Sequence, residues 1–154
     1  MAALHFDENL VVMIDEEGLD TYAVEDRLAG VLLSGDWVKE SYPSAIHTRE
    51  ENFPTGLNAG GLNIALPHCD MEHVNRGALC VGVLKHPVSW RCMDDPSKTC
   101  DVCLVVMLAL DEAHAHLEML QKVIGLLQDQ EAVGRIIACE TAADAYALLQ
   151  DKLS

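Results

Sequence analysis

The sequence predicts an α/β sandwich in which helices cover both faces of a mixed β-sheet. Short apolar runs of strand length lie in the first two thirds of the chain, and helical periodicity dominates the last third. Helical patterns also follow the first apolar run, so helices lie at both ends of the strand region. Such an order packs as helices on the two faces of a sheet. The 154 residues suit one domain with a substantial core, so we expect residues 1–154 to form a single domain.

The N-terminal third is expected to hold one strand and two helices. Residues 10–14 form a continuous apolar run, which indicates a strand. Residues 21–33 carry apolar side chains at helical spacing. A second helix is expected over residues 38–51 with an irregularity at Pro43, and a turn follows at residues 53–56.

The middle of the chain carries three apolar runs that we interpret as strands, at residues 62–66, 78–84 and 102–110. The last of them is apolar throughout, which is typical of a central strand covered on both faces. Residues 86–98 contain two prolines and are expected to form an irregular loop.

The last third predicts three helices, over residues 113–128, 131–138 and 142–153. Thr141 is a good N-cap for the last helix, with Asp144 at the capping-box position. The first of these helices is expected to bury one apolar face. That face consists of Leu117, Leu120, Ile124 and Leu127.

The chain is strongly acidic, with a formal net charge of −15, and this argues against a nucleic-acid-binding protein. Acidity favours either a basic protein partner or simple solubility. The longest apolar run has nine residues, too few to span a bilayer, and the N-terminus lacks a basic leader. We therefore expect no membrane insertion.

The six cysteines show no disulfide-like pairing pattern, which fits a reducing cytoplasm. Cys100 and Cys103 form one isolated CxxC pair, with no second pair to complete a four-thiolate zinc site. Residues three apart on a strand point to opposite faces. We interpret them as structural thiols and expect no metal.

The most informative segment is residues 60–68, where a glycine pair leads into a short strand that ends at Pro67 and His68. Proline cannot donate to a sheet ladder, so the strand ends there and His68 lies at its exit. A histidine changes its charge near neutral pH, which makes His68 a candidate nucleophile or base.

Two further histidines, His114 and His116, follow the strongest strand and open a helix. Ligand sites of open α/β sheets form beyond the carboxyl ends of strands, so His68 and this pair converge if their strands are parallel neighbours. The helix N-terminus also suits a phosphate. A metal site is a weaker alternative, because histidines two apart do not share a helix face.

Arg49 supplies a cation for the same site, since a guanidinium donates two hydrogen bonds to phosphate oxygens. The alternative for Arg49 is a solvated helix residue paired with a nearby acid. The remaining histidines lie in polar or irregular context and are expected at the surface. They are His5, His47, His73 and His86.

Taken together, these motifs resemble the IIA components of the bacterial phosphoenolpyruvate-dependent sugar phosphotransferase system. The chain is similar to the fructose/mannitol-type EIIA superfamily, and within it to the galactitol-like members. The shared features are residues 49–57, residues 64–69 and His116-Leu117 at the start of a helix. Cys69, where mannitol-type members have glycine, fits the galactitol-like subgroup.

The resemblance implies a three-layer α/β/α sandwich with a mixed central sheet, and a cytoplasmic phosphotransferase without a cofactor. In such a protein His68 accepts a phosphoryl group from the phosphocarrier HPr. It then passes the group to a cysteine of a IIB protein, which works with a membrane IIC component. Arg49 and His116 correspond to an active-site arginine and a second active-site histidine, and Glu50, Thr55 and Pro67 to residues that bind or support the phosphate.

Two other functions stay open. Relatives of this fold act as regulatory phosphorylation sensors, which keep the histidine but transport no sugar. A metal-dependent hydrolase would need a bound metal. The sugar itself is not specified by the sequence, because the IIC component selects it.

Overall fold

The computed structural model describes residues 4–153 and confirms an α/β sandwich around a five-stranded mixed sheet. The strands are β1 (Val11–Ile14), β2 (Gly56–Leu57), β3 (Asn63–Ala65), β4 (Ala78–Arg91) and β5 (Thr99–Ala109). The helices are α1 (Thr21–Ser34), α2 (Tyr42–Asn52), α3 (Ala113–Gln128), α4 (Gln130–Ala138) and α5 (Ala142–Leu153).

The sheet order is β1-β4-β5-β3-β2, with β5 at the centre as its apolar sequence predicts. β3 runs parallel to β5, and β4 is antiparallel to β5 and parallel to β1. Side chains of β5 are divided between two apolar clusters. One cluster includes buried residues of α1 and α2 and the other those of α3, α4 and α5, so the three expected layers are present.

The second helix begins later than its sequence pattern predicts. α2 starts at Tyr42, and Pro43 lies in its first turn instead of interrupting it. A proline is well tolerated there, because the N–H groups of the first turn have no partner within the helix. Val38 is not helical and forms an isolated bridge with Val74.

The predicted loop over residues 86–98 is wrong in its first half, because β4 continues as far as Arg91. Pro87 is exposed and lies where the register of β4 against β5 shifts between Val83 and Val88. A proline is compatible with a strand at such an irregularity, since its missing N–H breaks no ladder bond there.

The buried face of α3 also differs from the expected one. The helix buries Ala115, Met119, Val123, Leu126 and Leu127, whereas Leu117 is 59% exposed and Ile124 is 38% exposed. α3 carries apolar residues on two adjacent stripes, and spacing alone does not decide which stripe packs on the sheet.

Other local expectations are confirmed. Thr141 Oγ1 accepts a hydrogen bond from the Asp144 N–H at 3.1 Å, at the start of α5. Cys100 and Cys103 lie in opposite apolar clusters, and all six cysteines are free thiols. Within residues 4–153 no helix is long and apolar enough to cross a membrane.

Candidate active site

His68 lies at the exit of β3, on a segment that neighbouring strands fix at two points. The Leu66 N–H donates to the Thr55 carbonyl at 3.2 Å, and the Leu108 N–H donates to the Pro67 carbonyl at 2.9 Å. Because β3 and β5 are parallel, the ends of both strands meet at this edge of the sheet. The backbone is therefore held by hydrogen bonds at Leu66 and at Pro67, the two residues that directly precede His68.

The His68 imidazole has a defined orientation. Its Nδ1 lies 2.8 Å from the Leu66 carbonyl oxygen, which can only accept, so Nδ1 carries the proton and donates. Nε2 has no hydrogen-bond partner among the described residues. Burial is the largest effect on the pKa of His68 and lowers it; the hydrogen bond to Leu66 opposes this, and electrostatic interaction with His116 and Arg49 adds to the lowering. The ring is thus neutral at physiological pH with a free lone pair on Nε2.

His116 lies directly beside His68. The two ring centroids are 4.4 Å apart and the rings are tilted by 32°. This contact between the two rings confirms the prediction that the two histidine segments converge at one edge of the sheet. His114 is exposed instead, so the two histidines of the motif have different surroundings.

Arg49 reaches the same place from the last turns of α2. Its Cζ lies over the Phe53 ring, 4.7 Å from the ring centroid, which is the geometry of a cation–π contact. Its Nε is sealed from solvent and has no hydrogen-bond partner among residues 4–153. A buried cationic donor without an acceptor is costly, and an anion in the cavity would satisfy it.

A cavity of about 430 Å³ joins these groups, and its lining includes Arg49, His68 and His116. Glu112 and Ala113 at the start of α3 also line it, and Glu112 makes no side-chain capping bond. The first N–H groups of α3 have no partner within the helix, which is the usual arrangement of an anion site at a helix N-terminus.

Glu50, Thr55 and Pro67 lie behind the cavity, outside its lining. Glu50 is buried, and its two carboxylate oxygens accept from the Thr55 N–H at 2.7 Å and the Thr55 hydroxyl at 2.8 Å. Trp90 Nε1 donates to the same carboxylate at 3.1 Å. Sequence reasoning missed Trp90, because the segment that carries it was interpreted as a loop.

Three exposed apolar side chains, the apolar rim, lie at the site or next to its residues. Phe53 is 61% exposed, Met71 is 47% exposed, and Leu117 directly follows His116 on α3. Asp70, Glu72 and Glu112 add negative charge at the cavity mouth. Apolar side chains of this size at a surface are typical of protein interaction sites when they cluster.

The four histidines expected at the surface are partly exposed, and each contacts a carboxylate. The pairs are His5–Asp7, His47–Asp26, His73–Glu72 and His86 with Asp15 and Glu17. Within the described part of the chain, no group of three or more histidine, cysteine or acidic side chains is arranged to hold a metal ion.

Comparison with known proteins identifies the family. The model of the family "Phosphoenolpyruvate-dependent sugar phosphotransferase system, EIIA 2" matches residues 4–152. The galactitol-specific EIIA component of Escherichia coli K12 is 28% identical over 139 residues, which cover 90% of this chain and 92% of that protein.

Two solved structures share the fold. The complex of the mannitol enzyme IIA with phosphorylated enzyme IIB from E. coli matches with a TM-score of 0.76 and 16% identity, over 96% of this chain and 98% of that one. The nitrogen regulatory protein IIA-Ntr of Neisseria meningitidis matches with a TM-score of 0.70 and 20% identity, over 93% and 94%. The chain therefore belongs to the EIIA type 2 family of the sugar phosphotransferase system and is a phosphotransferase component similar to the galactitol-specific members.

Proposed function

We propose that His68 carries the phosphoryl group and that Nε2 is the atom that receives it. The observation that carries this proposal is the Nδ1–H bond to the Leu66 carbonyl, which leaves Nε2 unprotonated beside a cavity that Arg49 and His116 also line. Phosphoryl transfer needs mainly in-line positioning and donors for the oxygens of the moving group. The buried Arg49 Nε and the N–H groups at the start of α3 supply such donors.

The transfer has two steps. In the first, the Nε2 lone pair attacks phosphorus of the phosphorylated donor, a nitrogen–phosphorus bond forms, and the donor's bond to phosphorus breaks. In the second, a thiolate of the acceptor attacks phosphorus, and the electron pair of the broken bond returns to Nε2. Nδ1 keeps its proton throughout, because the Leu66 carbonyl holds it.

We infer that the donor is phosphorylated HPr and that the acceptor is a cysteine of a IIB protein, acting with a membrane IIC component. Support comes from the family and from the mannitol IIA fold neighbour, which was solved with phosphorylated IIB. The apolar rim at Phe53, Met71 and Leu117 suits protein docking. Its acidic mouth and the net charge of −15 favour basic partner surfaces.

We further propose that the substrate of the complete system is a sugar or polyol of the galactitol class, by analogy with the galactitol-specific relative. Free thiols at all six cysteines fit a protein that works in the cytoplasm. The regulatory alternative receives less support, because IIA-Ntr is 20% identical to this chain, whereas the galactitol-specific relative is 28% identical over 139 residues.

The test is phosphorylation in vitro. We expect incubation with phosphoenolpyruvate, enzyme I and HPr to give one acid-labile, base-stable label, which His68→Ala abolishes. His114→Ala is the matched control, because His114 is exposed two residues from His116, and it should keep the label. Label that persists in His68→Ala would refute the assignment. Addition of a IIB protein should move the label to its cysteine, whereas a label that stays would favour the regulatory function.

A further inference from the structure

A carboxyl group lies in the apolar interior behind the site. Glu25 belongs to the buried stripe of α1 together with Val24, Leu28 and Leu32, and it is 0% exposed. Neither of its oxygens receives a hydrogen bond from an N–H or hydroxyl group of the described residues. An ionised carboxylate in such surroundings is strongly disfavoured.

The group that Glu25 meets is the Glu50 carboxylate. Burial raises the pKa of Glu25 to about 11, and the charge of Glu50 and a side-chain hydrogen bond with it act in the same direction. Asp26 on the same helix contributes with the same sign, and the hydroxyls of Tyr22 and Tyr42 also lie within electrostatic reach. Two carboxyl groups form a hydrogen bond only when one of them is protonated.

Hydrogen bonds connect this pair with His68. Glu50 accepts from the N–H and the hydroxyl of Thr55. The Thr55 carbonyl accepts from the Leu66 N–H at 3.2 Å, and the Leu66 carbonyl accepts from His68 Nδ1 at 2.8 Å. The position of the carbonyl that selects the His68 tautomer thus depends on the Thr55 turn, and the Thr55 turn is held by Glu50.

We propose that Glu25 is a protonated positioning residue that donates to the Glu50 carboxylate and thereby fixes Thr55, Leu66 and the Nδ1–H tautomer of His68. Glu50 accepts three hydrogen bonds from nitrogen and hydroxyl donors, two from Thr55 and one from Trp90, and the proposal adds a fourth from Glu25. With Glu25 as the fourth donor, the lone pairs of the Glu50 carboxylate are all satisfied, and a fully bonded carboxylate holds its partners rigidly.

The role assigned to Glu25 rests on the proposed function of His68, but its structural part is measured without a phosphoryl donor. In the intact protein, the carboxyl carbon of Glu25, followed by ¹³C NMR, should keep the chemical shift of a protonated acid from pH 5 to pH 9, roughly the range below the raised pKa. A Glu25 signal that titrates near its ordinary value of 4.5 would overturn the proposal.

Two variants separate positioning from mere packing. Glu25→Gln keeps a donor toward Glu50, whereas Glu25→Leu keeps the bulk and removes the donor. We expect Glu25→Leu to speed hydrogen exchange at the Leu66 amide, to mix the His68 tautomers in ¹⁵N ring spectra, and to slow phosphoryl transfer on the order of ten-fold, since small misplacements of reacting groups are expensive.

Glu25→Gln should restore all three readouts to near wild type. Wild-type Leu66 exchange and a single His68 tautomer in a folded Glu25→Leu protein would overturn the proposal. If Glu25→Leu does not fold, the carboxyl titration of the wild type and the Glu25→Gln spectra still decide it. If His68 is never labelled, the proposed function fails while these spectra still test the network.

Discussion

At the scale of single residues, Arg49 has a buried Nε without an acceptor among the described residues, and its guanidinium lies over the Phe53 ring. We predict that Arg49→Met lowers the rate of phosphoryl transfer to His68 by roughly 10²-fold to 10³-fold, the usual cost of removing a donor that stabilises transition-state charge. Arg49→Lys should recover part of the rate, because it restores the charge but not the two-pronged geometry. Rapid-quench measurement of the label checks this.

The matched control is Arg27→Met. Arg27 is an exposed arginine on α1 that pairs with Glu16, and its loss should leave the rate unchanged. The removal of Arg49 should also raise the pKa of His68, because the Arg49 charge now lowers it. Equal rates in Arg49→Met and Arg27→Met would show that Arg49 does not act on the phosphoryl group.

Which site residues the sequence reveals depends on how far their partners lie along the chain. His68, Arg49 and His116 are visible because each belongs to a local motif. Trp90 and Glu25 cannot be predicted from a local motif, because each comes close to Glu50 only through tertiary packing. The one available signal for Glu25 was a carboxylate within the apolar stripe of a helix, and buried acids of this kind are rarely without a partner.

At the scale of elements, α3 carries both the buried stripe that packs on the sheet and an exposed stripe that includes Leu117 and Ile124. These two residues are seven positions apart and lie on the same face of the helix. Leu117 adjoins His116, whereas Ile124 lies two turns further along. Leu117 and Ile124 can therefore be compared as an exposed apolar residue next to the site and one away from it.

We predict that Leu117→Ser raises the KM for phosphorylated HPr about ten-fold, the effect of about 1.4 kcal/mol of lost docking energy. Ile124→Ser should change it less than about two-fold. Both variants should keep the free energy of unfolding within about 1 kcal/mol of the parent, because neither side chain is in the core. Steady-state kinetics and urea titration check this, and similar KM values for both variants would remove the apolar rim from the docking surface.

Element boundaries show where sequence patterns reach their limit. The bounds of α3 and α5 follow from periodicity and capping residues. The continuation of β4 past Pro87 does not, because a proline in a strand is tolerated only through the register shift that the partner strand allows. The start of α2 is also later than the pattern indicates, and Val38 in the segment before it instead forms a bridge with Val74, a contact that is distant in sequence.

At the scale of the whole molecule, the topology decides the site. The parallel pairing of β3 with β5 brings the segment after each strand to one edge, and this places His68 beside His116. The same topology buries Glu25 of α1 on the side of the sheet that α1 and α2 cover. Because this carboxyl group is buried, the free energy of unfolding depends on pH. The sign follows from the raised pKa of this group.

Below its ordinary pKa of 4.5, the Glu25 carboxyl is protonated in both the folded and the unfolded chain. The free energy of unfolding is therefore not reduced by this group in that range. As the pH rises from there toward about 11, the unfolded chain releases this proton and the folded chain keeps it. The free energy of unfolding then falls as the pH rises, by at most about 1.4 kcal/mol per pH unit for one proton.

We therefore predict that the Glu25→Gln variant gains free energy of unfolding relative to the parent, and that the gain grows steadily with pH from about 5.5 to about 8.5. Glutamine cannot ionise, and contributions of the other titrating groups cancel in the difference. Urea denaturation at matched pH values measures it, with Glu131→Gln as the control at an exposed helical position, where the difference should stay within about 0.5 kcal/mol at every pH. A difference between Glu25→Gln and the parent that is flat in pH would mean that Glu25 ionises equally in the folded and the unfolded chain.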